Sequence, residues 1–300
     1  MKKHLILGAI ENYSWDVVEA FFTSYKKTRI PNSECVMFVR NISNDTIKKL
    51  RDYNVVVLDI PSMYDGDYVI DIRWKLFSSF MVAHSNDYDM VLISDIRDVI
   101  IQSDIFLWLK NIDTDACLIL ALENDLISDS AVNKEWILRG YGGEVYNKIC
   151  ENYAICCGTV CGSLNEMIWL CDEMHNLIHA NDKFWGMEQA SLNYMVYTGS
   201  ISEHITLMTS PALTGKIATV GTLEKIDIKG EVIINDDGSI PAIVHQYDRH
   251  PDLLYHVLKK YTNKSRLSLY FKYSKLGRTL NKKQRMIMKP IETKIKRLFR

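Results

Sequence analysis

The chain has 300 residues, 47% of them hydrophobic, with 36 Lys or Arg against 37 Asp or Glu. This composition is ordinary for a globular protein with a sizeable core. No window approaches the roughly 18 apolar residues of a membrane span. The short apolar run that follows Lys2 and Lys3 predicts a first strand and not a secretory signal. We therefore expect a cytoplasmic protein built as one large α/β domain.

The first third of the chain alternates between two kinds of pattern. Short apolar runs rich in β-branched residues predict strands covered on both faces: Leu5–Ile10, Cys35–Val39, Val55–Ile60 and Met90–Ser94. Helical patterns lie between them: Trp15–Tyr25, Asn44–Tyr53 with Ser43 as its N-cap, and Asp71–His84. Strands that alternate with helices predict a mainly parallel sheet, and its ligands bind beyond the carboxyl ends of the strands.

The rest of the chain predicts a mixed continuation of that sheet. Strands are expected at Ala116–Leu122 and Thr159–Gly162, and helices at Asn165–His179 and Glu188–Tyr197. Shorter strand-like pieces follow at Ile205–Met208, Ile226–Ile228 and Val232–Ile234.

Two acids directly follow the apolar run that ends at Ser94. They are Asp95 and Asp98, with Arg97 between them. Carboxylates at the end of a strand can hold a hard divalent cation, which can bridge two phosphates. The alternative is a surface network of Asp95, Arg97 and Asp98 that caps the next turn, because D-x-x-D is a weak pattern. The position at a carboxyl end of the sheet favours a functional site.

Two familiar nucleotide-binding motifs are missing from the sequence. There is no G-x-x-x-x-G-K-[ST] loop and no G-x-G-x-x-G after the first strand, which disfavours kinases and dehydrogenases. A sugar-nucleotidyltransferase stays open as an alternative, although Gly8–Tyr13 lacks the glycine-rich basic loop of such enzymes. A non-catalytic nucleic-acid-binding protein is the other alternative.

Four segments, in this order, resemble the GT-A glycosyltransferases, especially bacterial-type members with a Ser-Asp-x-Arg-Asp variant of the D-x-D motif. They are Leu92–Gln102, Cys157–Ser163, Gly186–Asn193 and Val244–Asp248. The resemblance implies a Rossmann-like, mixed, mainly parallel central sheet flanked by helices. It also implies metal-dependent transfer of a sugar from a UDP- or GDP-sugar donor to a hydroxyl of a glycan or lipid-linked acceptor, in surface polysaccharide synthesis.

The same resemblance implies roles for individual residues. Asp95, Asp98 and His245 would hold Mn²⁺ or Mg²⁺ on the donor diphosphate. The acids here stand one residue further apart than in D-x-D, so either of them could be the direct ligand, and Asp95 could instead meet the donor ribose or sugar. Donor contacts are further expected from a set of residues in the first quarter of the chain: Gly8, Ala9, Ile10, Arg73 and Lys75.

Glu188 and Gln189 resemble the acidic residue and glutamine that stand near the acceptor and the transferred sugar. Glu188 would be the general base in an inverting enzyme, or would stabilise an oxocarbenium-like centre in a retaining one. The structural alternative is an acid placed at a helix N-terminus by the helix dipole. Gly158 and Gly162 flank the predicted strand behind the acceptor, where a close approach of the backbone excludes side chains.

The near-neutral charge hides a strong division. Residues 259–300 carry 15 Lys or Arg and one acid, Glu292, whereas residues 1–258 carry 21 basic and 36 acidic residues. We predict a catalytic domain over 1–258 and a helical, amphipathic tail over 259–300 that holds the enzyme peripherally at the inner, anionic face of a membrane. The alternative is that the tail packs on the acidic body or on a second subunit. No nucleic-acid partner is expected, because the body is acidic.

Overall fold

The computed structural model describes residues 2–111, 118–199, 201, 206–209 and 214–273. The first part of the chain forms the predicted alternation of strands and helices. The elements are β1 (Lys3–Glu11), α1 (Trp15–Thr28), β2 (Ser33–Arg40), α2 (Asn44–Asp52), β3 (Val55–Asp59), α3 (Val69–Ala83) and β4 (Tyr88–Ser94). Ser43 caps α2 as predicted, since its side chain accepts a hydrogen bond from Thr46 N at 3.2 Å.

The second part contains more elements than the sequence predicted. They are β5 (Val99–Ile101), α4 (Ile105–Leu109), β6 (Leu118–Leu126), α5 (Ala131–Ile149), β7 (Tyr153–Ser163), α6 (Leu164–His179), α7 (Met187–Thr198), β8 (Thr206–Thr209), β9 (Ile217–Thr219), β10 (Asp227–Lys229), β11 (Val232–Ile234), β12 (Ile243–His245), α8 (Pro251–Tyr261) and α9 (Arg266–Tyr273). The first residues of the predicted strand at Ala116–Leu122, and Ile205 of the predicted strand at Ile205–Met208, lie outside the described residues.

Within the described residues, seven strands form the central sheet in the order β3-β2-β1-β4-β7-β6-β8. The first four are parallel, β7 is antiparallel to both of its neighbours, and β8 is parallel to β6. The mixed, mainly parallel sheet is therefore confirmed. The expected continuation is correct for β6, β7 and β8 and wrong for the later strands. Of these, β9 and β12 join β5 in a separate sheet of order β5-β12-β9, and β10 pairs with β11 in a hairpin.

Helices cover both faces of the central sheet, as is usual for a mainly parallel sheet. Successive residues of β1 point to opposite faces. Leu5 and Leu7 pack in the layer of α3, α6 and α7, whereas Ile6 packs in the layer of α1, α2 and α4. All three side chains are fully buried. This burial explains why the strand is a continuous apolar run instead of an alternating one.

The pairing of β7 with β6 is interrupted in the middle of the sheet. Leu120 pairs with Val160, but the next residue of β6, Ala121, pairs with Cys156. The three residues 157–159 are therefore left out of the ladder with β6, as in an extended β-bulge. On the other side, Thr159 still pairs with Ser94 of β4, and Gly158 O accepts a hydrogen bond from Asp95 N at 2.6 Å. The irregularity thus lies against the loop that follows β4.

The predicted boundary at residue 259 falls within α8, which packs on α1. Lys27 Nζ donates to Lys260 O at 2.8 Å, and Glu19 Oε1 accepts from Asn263 N at 3.0 Å. Lys264 Nζ donates to Asp16 O at 3.1 Å. Most of the predicted tail, residues 274–300, lies outside the described residues. Within the described part of the chain, no helix is both long and apolar enough to cross a membrane.

Candidate active site

Two carboxylates and an imidazole meet at the carboxyl end of β4. Asp95 follows β4, Asp98 precedes β5, and His245 ends β12, whose antiparallel pairing places His245 opposite Val99. His245 Nε2 lies 3.7 Å from Asp95 Oδ2 and 3.7 Å from Asp98 Oδ1. Ligand atoms of the three residues all lie within 4.8 Å of one another. This donor set fits a divalent cation such as Mn²⁺, which accepts carboxylate and imidazole ligands.

Charge favours the ionised form of Asp98. Its side chain is buried, and burial alone would raise its pKa. The positive charges of His245 and Arg97, together with the hydrogen bond from Arg97, instead hold the pKa of Asp98 far below its usual range. Arg97 Nη2 lies 3.2 Å from Asp98 Oδ2 and 3.4 Å from Asp248 Oδ2. Of the alternative network of Asp95, Arg97 and Asp98, the Arg97–Asp98 pair is thus present. Asp95 instead pairs with Arg73.

Gly158 lies directly against the Asp95 and His245 side chains. A Cβ atom at this position would overlap the His245 ring and the Asp95 carboxylate. Since Asp95 N also donates to Gly158 O, the backbone of β7 forms the floor beneath the carboxylate and the imidazole. The expected close approach of the backbone at Gly158 is therefore present, and it occurs beside Asp95 and His245.

Arg73 of α3 joins the end of β4 to the start of α7. Its side chain is 4% exposed and pairs with two carboxylates. Arg73 Nη1 donates to Asp95 Oδ1 at 2.7 Å, and Arg73 Nε donates to Glu188 Oε2 at 3.0 Å. Trp74 Nε1 also donates to Glu188 Oε2, at 3.1 Å. The planar guanidinium suits this use because it presents several fixed donors at once.

The surroundings of Glu188 shift its protonation equilibrium. It is buried at the start of α7, and this burial, with the nearby negative charge of Asp95, raises its pKa to about 7. Arg73 and the Trp74 hydrogen bond oppose the shift without cancelling it. A carboxyl group with a pKa near neutrality, in a cleft, is typical of a functional site.

A second buried polar network, which the sequence analysis missed, surrounds Gln189. Gln189 Nε2 donates to Asn133 Oδ1 at 2.7 Å and to Glu123 Oε1 at 3.3 Å. Asn133 Nδ2 donates to Glu123 Oε2 at 3.1 Å, and Gln246 Nε2 donates to Glu123 Oε1 at 3.4 Å. The network fixes the Gln189 amide beside Glu188. Glu123 could have been identified from the sequence, because it directly follows the apolar run Leu118–Leu122, as Asp95 follows β4.

A cleft of about 340 Å³ brings most of the predicted residues together. Its lining includes Ala9, Arg73, Asp95, Asp98, Glu188, Gln189 and His245. Three predicted donor contacts do not line it. Gly8 packs against Ile96 and Met37, and Ile10 is fully buried in the core on the α1 side. Lys75 projects from α3 toward Asp172 of α6, with 3.9 Å between Nζ and Oδ1.

Comparisons with known proteins show the fold but no family. No family model matches the chain, and no curated protein matches it. The structure is similar to the apo structure of the WbbM bifunctional glycosyltransferase, with 12% sequence identity and a TM-score of 0.59. The match covers 90% of this chain and 51% of that chain, so this protein spans about half the length of its neighbour. The chain therefore has the Rossmann-like fold of a glycosyltransferase.

Proposed function

We propose that this protein is a metal-dependent glycosyltransferase that moves a sugar from a nucleotide diphosphate donor to a hydroxyl of a glycan or lipid-linked acceptor. One observation carries the proposal. The Asp95, Asp98 and His245 side chains share a single cleft with the buried Arg73–Glu188 pair. The fold likeness to a glycosyltransferase supports the same class of reaction.

Asp95, Asp98 and His245 would hold the cation, with Mn²⁺ as the better match to the imidazole. When bound, a divalent cation supplies neutralising charge to the departing diphosphate. Two arginines hold the metal-binding carboxylates in place. Arg73 fixes the Asp95 carboxylate, and Arg97 fixes that of Asp98. The small side chain of Ala9 leaves space for the donor at the end of β1.

Glu188 would be the general base that takes the proton of the acceptor hydroxyl in an inverting transfer. Its pKa of about 7 means that a large fraction is ionised near neutral pH, while its conjugate acid is still weak enough for proton transfer. Arg73 and Trp74 hold one carboxylate oxygen in place. In a retaining transfer the same carboxylate would stabilise an oxocarbenium-like centre. The anomeric configuration of the product, followed by proton NMR, distinguishes the two.

The test of donor binding is a panel of UDP- and GDP-sugars scored by thermal stabilisation with and without Mn²⁺. We expect at least one donor to raise the melting temperature only when Mn²⁺ is present. Asp98→Asn should abolish that shift, whereas Asp45→Asn, an exposed carboxylate on α2, should leave it unchanged. Unchanged donor binding in both Asp95→Asn and Asp98→Asn would refute the assignment of the metal site.

A second experiment separates donor binding from catalysis. His245→Ala should weaken Mn²⁺ and donor binding together, because it removes a ligand. Glu188→Gln should keep donor affinity and lower the turnover number, because the carboxylate acts on the reacting centre. Release of the free nucleotide gives the rate, and calorimetric titration gives the affinity. Loss of donor affinity with normal turnover in Glu188→Gln would contradict the role proposed for this residue.

We also propose that the basic tail places the enzyme on the cytoplasmic face of an anionic membrane, where a lipid-linked or surface glycan acceptor would be found. The support is the charge of residues 259–300, which carry 15 basic residues and one acid. Each basic residue near an anionic leaflet contributes about 1 kcal/mol. Since residues 259–264 contact α1, the proposed membrane contact belongs to the residues that follow α9.

A further inference from the structure

Trp185 is an exposed aromatic side chain that the core does not need. It is 67% exposed and lines the cleft, three positions before Glu188. Ligand pockets are lined mainly by hydrophobic and aromatic side chains with a few polar groups, so an exposed ring in this cleft is available to a ligand. Neither the metal site nor the Arg73–Glu188 pair explains its presence.

The backbone that carries Trp185 is firmly anchored. Met187 N donates to Phe184 O at 3.1 Å, which closes a turn whose third residue, Gly186, has φ 99°. Phe184 and Met187, on either side, are both buried. A Cβ at Gly186 would overlap the ring of Trp136, so this position requires glycine for space as well as for φ. Trp185 is thus an exposed ring on a turn whose backbone is fixed before a ligand binds.

A second exposed aromatic ring lines the same cleft. Tyr68, the N-cap residue of α3, is 57% exposed and lines the cleft. The two loops are tied together next to these rings, since Lys183 Nζ donates to Asp67 Oδ1 at 2.9 Å. Asp67 O also accepts from Arg40 Nη2 at 2.6 Å. The salt bridge therefore joins the segment before Tyr68 to the segment before Trp185.

We propose that Trp185 and Tyr68 form a stacking subsite for a pyranose ring of a saccharide acceptor, and this inference rests on the proposed glycosyl transfer. A pyranose presents C–H groups on its face and hydroxyls at its edge. An aromatic ring accepts the apolar face, while the edge hydroxyls stay free for polar partners. Glu188, three residues after Trp185, supplies the carboxylate toward which one edge hydroxyl would point. The acceptor class is therefore a sugar ring and not an alkyl alcohol or a protein side chain.

The experiment measures binding of methyl pyranosides of glucose, galactose and mannose to the full chain, by saturation-transfer NMR with UDP or GDP and Mn²⁺ present. Galactitol, which has hydroxyls but no ring face, is the matched ligand control. We expect Trp185→Ala to weaken binding of the preferred pyranoside about five- to tenfold. Trp185→Phe should keep most of the affinity, and Tyr68→Ala should lose affinity to a smaller extent. Tyr153→Ala, an exposed aromatic outside this cleft, should change nothing.

Three outcomes would overturn the subsite: equal pyranoside binding by wild type and Trp185→Ala, equal binding of galactitol, or no pyranoside binding at all. A loss of UDP or GDP affinity in Trp185→Ala would also overturn it, because the ring would then serve the donor. Failure of the wild type to bind any nucleotide with Mn²⁺ counts instead against the proposed transferase. In that case the same comparison of pyranoside binding by wild type and Trp185→Ala, made without nucleotide, tests the subsite.

Discussion

The raised pKa of Glu188 predicts a measurable pH dependence of stability. Burial moves the pKa of this carboxyl from an ordinary 4.5 to about 7 in the folded protein. Between these values the folded state holds a proton that the unfolded chain has lost. The free energy of unfolding therefore falls as the pH rises from about 4.5 to about 7, and no further contribution follows above that range.

The size of the effect follows from the same two values. A shift from 4.5 to about 7 corresponds to about 3.5 kcal/mol at roughly 1.4 kcal/mol per pH unit, of which about 3 kcal/mol falls between pH 4.5 and pH 8. Glu188→Gln removes this titration while keeping the shape of the side chain. The difference in the free energy of unfolding, variant minus wild type, should therefore increase by about 3 kcal/mol between pH 4.5 and pH 8.

Urea unfolding at several pH values, with a chelator present, measures this difference directly. Contributions from titrating groups that do not interact with Glu188 cancel when wild type and variant are compared at each pH. Glu224→Gln, on an exposed loop, controls for the loss of one carboxylate. Wild-type and Glu188→Gln curves that run parallel over the whole pH range would refute the reasoning about the buried carboxyl.

Three further outcomes are expected. Gly158→Ala should abolish Mn²⁺ binding in calorimetric titration with an unchanged far-ultraviolet circular dichroism spectrum, because the new methyl group would overlap Asp95 and His245. Asp71→Asn should raise the free energy of unfolding by about 1–2 kcal/mol at pH 8 and not at pH 4. The Asp71 carboxylate is buried without a hydrogen-bond partner among the described residues, and burial raises its pKa from 3.8 to about 6. Deletion of residues 274–300 should abolish co-sedimentation with anionic liposomes at low salt and leave donor hydrolysis intact, whereas unchanged co-sedimentation would exclude the tail as the membrane contact.

The sequence predicted the elements that depend on local signals. β1 to β4 are continuous apolar runs, and α1 to α3 carry helical periodicity, so each could be recognised alone. The acids at the end of β4 stood out because an apolar strand stops on charge. By contrast, α5 was missed because few of its residues are buried and a kink at Gly142, with φ 80°, interrupts it. It therefore lacks the apolar stripe by which a helix is recognised.

Contacts between distant segments could not be read from the sequence. The approach of His245 to Asp98 depends on the pairing of two three-residue strands, β5 and β12, more than 140 positions apart. The expectation for Lys75 could have been questioned earlier. Residues two apart on a helix point to different faces, so Arg73 and Lys75 could not both project into one cleft. The structure places Arg73 in the cleft and Lys75 toward Asp172.

The interrupted pairing of β7 constrains the number of residues in the chain as well as their identity. Ile155 and Cys157 face the layer of α3 and α6, and so does Val160 after the interruption. Odd-numbered residues face this layer before the interruption, and an even-numbered residue faces it afterwards. The alternation of side chains therefore reverses across Gly158. Removing or adding one residue there would turn every side chain on one side of the change to the opposite layer. Across much of β7, the size and polarity of a new side chain therefore decide whether a substitution is tolerated. Near Gly158, the number of residues also decides which side chains reach the cleft.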